Sequence, residues 1–292
     1  MQNFEGRLAV ITGAGTGMGR ELALALARAG CHLALCDVSE ETMGETRELC
    51  AADGPEGLTV STHRVDVSNE ADLLAFRDAT AEAHGRDSVN LLFNNAGIGG
   101  GGSMLEHSRE EWERTFNVCW YGVYYGTRAF LPMLQRADEG HIVNTASING
   151  VWASLGPATS HTAYSAAKFA VRGFTEALIN DMKLHAPHIG VSVVMPGHIG
   201  TSIIENSAQV LGRESIDENR ARLHKNFLEN APVSAAEAAE VILDGVREGR
   251  WRILIGEDAR VIDAMVRDDP EGAYGEAFMD RLTERVEWRL GR

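Results

Sequence analysis

Arg7-Leu-Ala-Val-Ile-Thr12, Gly13-Ala-Gly15-Thr-Gly17-Met-Gly19 and Arg20-Glu-Leu-Ala-Leu-Ala-Leu-Ala-Arg-Ala29 follow one another near the start of the chain, and the run stops at Gly30. The first piece is a short apolar run with β-branched residues, the length of one buried strand. The last is rich in Ala and Leu, and Gly30 stands where a C′ glycine ends a helix. Strand, glycine turn and helix together aim backbone N–H groups and a helix N-terminus at an anion, so a nucleotide phosphate is the expected occupant. The glycines do not follow G-x-G-x-x-G: counted from Gly13 the third position is Met18, and from Gly15 it is Arg20. They follow T-G-x-x-x-G-x-G through Thr12, Gly13, Gly17 and Gly19.

A second apolar run, His32-Leu-Ala-Leu-Cys-Asp37, ends in an acid twenty residues after Gly17. A carboxylate there accepts both ribose hydroxyls of an adenosine and repels a 2′-phosphate at ~4 Å by up to ~4 kcal/mol. Val38 follows where an arginine would neutralise that phosphate, so NAD(H) is expected over NADP(H). Strand-like and helix-like segments go on alternating, which predicts right-handed crossovers and a parallel sheet. Leu58–Val65 leads to Asp66-Val67, with Ser68 as the N-cap of a helix near 69–84. Val89–Phe93 leads to Asn94-Asn95-Ala96-Gly97, small and amide residues suited to a floor beside the ribose, and Gly99–Gly102 form a rim. Ser108 to Glu111 reads as a capping box for a helix containing Asn117, a poor helix former that marks a bend or a site. His141–Ala146 is a strand that delivers Ser147 at its C-terminal end, where open α/β sheets bind ligands.

Tyr164-Ser-Ala-Ala-Lys168 puts a phenol and an ammonium on one helix face, one turn apart. A phenol of pKa ~10 costs ~4 kcal/mol to use as a base at neutral pH, and a fixed ammonium nearby offsets much of that.

Taken in order, Thr12–Gly19, Asn94–Gly97, Asn117, Ser147, Tyr164–Lys168 and Pro196-Gly197 resemble the motif set of the short-chain dehydrogenase/reductase family across residues 4–256. The glycine spacing is similar to its compact oxidoreductase branch. The resemblance implies one doubly wound Rossmann-type α/β domain over residues 1–292, with a seven-stranded, mostly parallel sheet. It further implies a substrate lid over 200–230 and a C-terminal extension over 257–292. Tyr164 is then the acid/base on the alcohol or carbonyl oxygen, Lys168 lowers its pKa and binds the nicotinamide ribose, Ser147 holds the substrate oxygen, and Asn117 holds a water beyond Lys168. The cofactor set it implies is Gly13, Thr16, Gly17, Met18, Gly19, Asp37, Asp66, Val67, Asn94, Ala96, Gly97, Pro196, Gly197, Ile199 and Thr201, together with Tyr164 and Lys168. Seventeen positions separate Ser147 from Tyr164, more than is usual in the family; the extra residues fall in Gly156–His161, with Ser154 and Ser160 as alternative hydroxyls to Ser147.

In the lid, Ile203, Ile204, Val210 and Leu211 are candidates for an apolar ceiling, with Trp152 and His198 as further walls of a site for a bulky, uncharged alcohol or ketone. Ser234 to Glu237 opens a helix to about Glu248, and Trp251–Ile255 is a last strand, beyond which Phe278 and Trp288 are the residues able to dock the tail. Small residues Ala163, Ala166, Ala167, Ala170 and Gly173 on the Tyr164 helix let another helix approach, and the family places this helix in an interface, so a homodimer or homotetramer is expected. Two other roles remain open: a 3-oxoacyl-thioester reductase of the same family, disfavoured by Asp37 and the charge, and a non-catalytic NAD sensor.

The 292 residues carry a net charge of −15, which disfavours nucleic acid or anionic lipid as partner. No basic n-region followed by an apolar run is visible after Met1, nor any apolar run of about eighteen residues. Cys31, Cys36, Cys50 and Cys119 lack disulfide or metal-ligand spacing, so reduced thiols, no metal site and a cytoplasmic location are expected.

Overall fold

Parallel strands run through the middle of the protein in the order β3-β2-β1-β4-β5-β6-β9. The computed structural model describes residues 1–156, 159–213 and 218–286. The strands are β1 (Leu8–Thr12), β2 (His32–Asp37), β3 (Val60–Arg64), β4 (Leu91–Asn94), β5 (Gly140–Thr145), β6 (Ile189–Pro196) and β9 (Arg252–Ile255); β7 (Ile199–Gly200) and β8 (Val233–Ser234) form a separate short pair. The helices are α1 (Gly17–Arg28), α2 (Glu40–Asp53), α3 (Glu70–His84), α4 (Arg109–Phe116), α5 (Gly122–Gln135), α6 (Thr162–His185), α7 (Ile203–Val210), α8 (Glu218–Glu229), α9 (Ala235–Arg247), α10 (Glu257–Asp268) and α11 (Glu276–Arg285). All six neighbouring pairs of the large sheet are parallel. The chain steps outward from β1 to β3 and then returns to the other side of β1 at β4. That reversal opens a crevice at the carboxyl ends of β1 and β4.

Both faces of the sheet are covered, which is why β1 reads as unbroken apolar sequence rather than an alternation. Ala9, Ile11, Leu33 and Leu35 pack under α1 and α9. Leu8, Val10, Ala34 and Cys36 pack in the opposite layer with Phe76 of α3, Phe130 of α5 and Ala167 of α6. A third core joins Ile148, Val151 and Trp152 to Ile262, Phe278 and Leu282 of the C-terminal segment.

The termini of the elements follow local chemistry. At the end of α1 the Gly30 N–H bonds the Ala27 carbonyl and the Cys31 N–H the Leu26 carbonyl, a Schellman closure made possible by the positive φ of Gly30. Asn69, not Ser68, caps α3, its side chain accepting from the Ala71 N–H at 3.0 Å. The Ser68 hydroxyl is occupied by Asp66 at 2.7 Å and Arg114 at 2.6 Å. Ser108 caps α4, but the reciprocal half of the box is not made: the Glu111 carboxylate takes the Gly101 N–H at 3.1 Å and pairs with Arg213. Ser234 and Glu237 make the full box at α9. Asn117 begins a π-helical turn, Asn117–Tyr121, that joins α4 to α5, so the unfavourable asparagine sits at an irregularity in the helix. No helix among the described residues is long and apolar enough to cross a membrane. Trp288 lies outside the described residues.

Candidate active site

The glycine turn between β1 and α1 forms one wall of the crevice. Gly13 has φ +66°, and a side chain there would press on the Cα of Ala96 at 2.8 Å. Gly19 faces the Gly13 carbonyl and the Asn95 amide, again without room for a Cβ. Glycine therefore brings β1, β4 and α1 into contact at their ends. Thr16 is the N-cap of α1, yet its side chain makes no capping bond, and the first turn holds no acidic residue. The N–H groups of that turn are left for an anion.

The crevice holds a cavity of about 160 Å³ and is lined by Gly13, Thr16, Gly17, Met18, Asp37, Asp66, Val67, Ala96, Gly97 and Thr201. Asp37 ends β2, and its carboxylate accepts the Gly15 N–H at 3.0 Å and the Ser39 N–H at 3.2 Å, which fixes it at the edge of the crevice. Arg20, which directly follows the glycine turn, is tied to the Gly15 carbonyl, Thr46, the Thr42 carbonyl and Glu45. Burial acts to raise the Asp66 carboxyl, but bonds from Ser68 and Arg114 outweigh it and leave it below its usual value. Helix α7 closes the opposite side. Asn206 donates to the Thr16 hydroxyl at 2.6 Å, and Ser207 accepts the Gly99 N–H at 2.8 Å. Ile203 and Val210 line the crevice from above, beside Ile98 and Val118.

Beyond the end of β5, Ser147 caps the short turn Ile148–Gly150, its Oγ accepting the Asn149 N–H at 3.1 Å. Its hydroxyl lies close enough to the Tyr164 phenol to act on its titration. Burial pushes the phenol well above its ordinary value; the Cys119 thiol adds to this, and the nearby Ser147 hydroxyl works against it. Lys168 is 2% exposed and donates to the Thr145 carbonyl at 2.8 Å, with Nζ 5.4 Å from the centre of the Tyr164 ring. Burial lowers the Lys168 ammonium, offset in part by Cys119. Ser147 and the Tyr164–Lys168 pair of α6 thus come together beside the crevice, with Lys168 Nζ next to Gly97 of its wall. The Asn117 carbonyl accepts from the Gly122 N–H in the π turn, next to α6. Ser154 is spent on its own turn, accepting the Gly156 N–H at 3.0 Å, and Ser160 is exposed, which leaves Ser147 as the hydroxyl at the phenol.

Several expected residues lie elsewhere. Asn94 spends its amide in the core on Thr127 at 3.1 Å and Asn144 at 2.8 Å; Asn95 is the amide that lines the crevice. Gly197 faces Asp258, whose carboxylate accepts the His198 N–H at 2.7 Å, and Pro196 and Ile199 are buried in the core beside it. His198 is no substrate wall: its ring bonds the Phe227 carbonyl at 2.7 Å and packs on the Phe227 ring. Trp152 points into the C-terminal core, donating to the Ala273 carbonyl at 2.8 Å and packing on Phe278. Ile204 and Leu211 do not line the crevice, although Leu211 packs near Gly100. Sequence reasoning missed Arg114 and Asn206, both on the crevice wall. Neither belongs to a motif, and each is brought in by the fold of α4 or α7.

Comparison with known proteins identifies the family. A family profile described as short chain dehydrogenase matches residues 7–211. A putative oxidoreductase, SadH, of Mycobacterium tuberculosis is 38% identical over 272 residues, covering 91% of this chain and 92% of that one. A levodione reductase of Leifsonia aquatica is 31% identical over 268 residues, covering 90% and 92%. Among solved structures, a short chain dehydrogenase/reductase from Burkholderia phymatum in complex with NAD superposes with TM-score 0.82 at 33% identity, over 93% of this chain and 96% of that one. The protein is therefore an oxidoreductase belonging to the short-chain dehydrogenase/reductase family.

Proposed function

We propose that the protein interconverts a secondary alcohol and a ketone with NAD(H) as cofactor, preferred over NADP(H). The observation that carries this reading is the meeting of Ser147, Tyr164 and Lys168 beside a crevice that is walled by a glycine turn and an uncapped helix N-terminus. The residues fit a dinucleotide: free N–H groups of α1 for the pyrophosphate, Asp37 for the adenosine ribose, and Lys168, whose ammonium has no acceptor besides the Thr145 carbonyl among the described residues, for the second ribose. Gly13, Gly17, Ala96, Gly97 and Thr201 form the walls, with Asp66 and Val67 beside the adenine. When bound, the nicotinamide supplies the site that accepts or gives the hydride. The chain does the rest. Ser147 donates to the reacting oxygen, Tyr164 takes its proton in oxidation and returns it in reduction, and Lys168 favours the phenolate. The Asn117 turn is assigned the water beyond Lys168.

The apolar side chains Ile203, Val210, Ile98 and Val118 favour a bulky, uncharged substrate, and the relative named a levodione reductase is consistent with carbonyl chemistry. Exposed Ala166, Phe169 and Gly173 on α6, with Tyr121 nearby in sequence to α5, support a homodimer or homotetramer; Ala163 and Ala167 are buried within the subunit instead. The four free, buried thiols suit a cytoplasmic protein. The test is NADH formation at 340 nm with aliphatic, aryl and polycyclic secondary alcohols at mildly alkaline pH, with NADP⁺ in parallel. Turnover of apolar alcohols with NAD⁺ is expected; a strict preference for small anionic substrates would refute the substrate class.

A further inference from the structure

The C-terminal segment lies beyond every motif, yet it is bonded to the turn that carries Ser147. The Trp152 indole N–H donates to the Ala273 carbonyl at 2.8 Å, and its ring packs on Phe278 at 5.0 Å. The next residue, Ala153, donates its N–H to the Tyr274 hydroxyl at 3.1 Å. From these residues the connection runs back to the active site. The Asn149 amide donates to the carbonyls of Trp152 and Ser154, each at 3.1 Å, which ties the turn to the strapped segment. The Asn149 backbone N–H in turn donates to Ser147 Oγ at 3.1 Å. With one lone pair of Oγ occupied in this way, the Ser147 proton is directed elsewhere.

We infer that residues 257–286 are a positioning strap for Ser147, acting through Trp152 and Tyr274 as positioning residues. The inference rests on the reading of Ser147 as the donor to the reacting oxygen. Packing alone needs only the apolar surfaces of Phe278, Leu282 and Ile262. The two polar links add direction: they hold residues 152 and 153 at fixed points, and through Asn149 they set where the Ser147 hydroxyl points. On the opposite side the turn is braced by α6, where Arg172 donates to the Gly150 carbonyl at 3.2 Å. The turn is therefore held from both sides, once by the helix that carries Tyr164 and once by the tail.

The test uses the full chain. Tyr274→Phe removes the acceptor for the Ala153 N–H at a side chain that is 64% exposed, so folding is preserved. Trp152→Phe keeps an aromatic ring against Phe278 and removes the N–H donor. In the double variant the strap predicts faster hydrogen exchange at the Asn149 amide in the cofactor-free protein, by roughly five- to tenfold, the worth of about one net hydrogen bond. It also predicts a fall in kcat of similar size, with KM for the alcohol and the Kd for NADH within about twofold of wild type. Tyr274→Phe alone gives a smaller change in the same direction. Exchange at Asn149 unchanged from wild type overturns the proposal. So does faster exchange with kcat unchanged, or a loss in kcat matched by equal losses in KM and NADH affinity. If the wild-type protein oxidises no secondary alcohol, the functional reading has failed, and exchange at Asn149 alone decides whether the strap exists.

Discussion

In an Asp37→Asn variant, β2 ends in a neutral amide while the shape of the crevice is retained. One side-chain oxygen remains to accept the Gly15 or Ser39 N–H that the carboxylate holds. Two effects on cofactor choice then add. A carboxylate and a 2′-phosphate at ~4 Å repel by ~4 kcal/mol at an effective dielectric of ~20. Asp37 is only half buried and lines an open crevice, so about half of that, ~2 kcal/mol, is the reasonable gain for NADPH. For NADH the variant gives up a charge-assisted bond to the ribose, worth ~1.5–2 kcal/mol. The sum of ~3.5–4 kcal/mol is a swing of several hundredfold, approaching ~10³, in the ratio of NADH to NADPH affinity. Arg20 gives wild type no escape, because its guanidinium is committed to the glycine loop and α2. Titration of both reduced cofactors by nicotinamide fluorescence, with thermal melts as a control for folding, measures the swing. Equal wild-type affinity for the two cofactors, or a ratio that moves less than threefold in Asp37→Asn, would refute the electrostatic argument.

Three further outcomes are expected. Lys168→Met removes the ammonium beside the phenol and a ribose donor together, so kcat should fall by at least ~10² and NADH should bind about tenfold more weakly; a change confined to affinity would remove Lys168 from proton chemistry. His84, His141 and His161 are held neutral mainly by burial, with pKa values lowered from 6.5 to about 4. The unfolded chain binds more protons between those values, so stability is fully present above pH ~6.5 and is lost as pH falls toward ~4. Denaturant unfolding at pH 7, 6 and 5 should show a falling midpoint, and a flat profile would contradict the burial argument. Asn206→Ala removes the bond from α7 to Thr16, worth ~1 kcal/mol. NADH should then leave roughly fivefold faster in stopped-flow, while an unchanged off-rate would show that α7 does not restrain the cofactor.

Much of this architecture is readable from residue order. The strand at 8–12, the glycine turn and Gly30 state one βα unit completely, because each boundary is set by local backbone chemistry. Tyr164 and Lys168 are legible for a similar reason: four residues on a helix fix their spacing wherever the helix goes. What depends on distant packing is not legible. Trp152 looks like a substrate wall beside Ser147, but the tail supplies a carbonyl and an aromatic ring that draw it into the core. His198 follows a cofactor-type Pro-Gly, yet Asp258 and Phe227 take its backbone and ring. Asn94 and Asn95 are equivalent in sequence, and the side to which each points depends on Thr127 and Asn144, which lie on later elements. Glu111 has the spacing of a capping box, but Gly101 and Arg213 compete for its carboxylate. Arg114 and Asn206 enter the crevice only when α4 and α7 fold over it.

The central claim is that Tyr164 moves the proton at the reacting oxygen, and a Tyr164→Phe substitution tests it with the loss of a single oxygen atom. Wild type and variant are to be compared in NAD⁺-dependent oxidation of the best secondary alcohol from the panel, with NADH binding measured on both. The account predicts that kcat falls by at least ~10², the range of a lost general acid or base, while NADH affinity stays within a few-fold. Equal turnover by the two proteins would show that Tyr164 is not the acid/base and would contradict the mechanism.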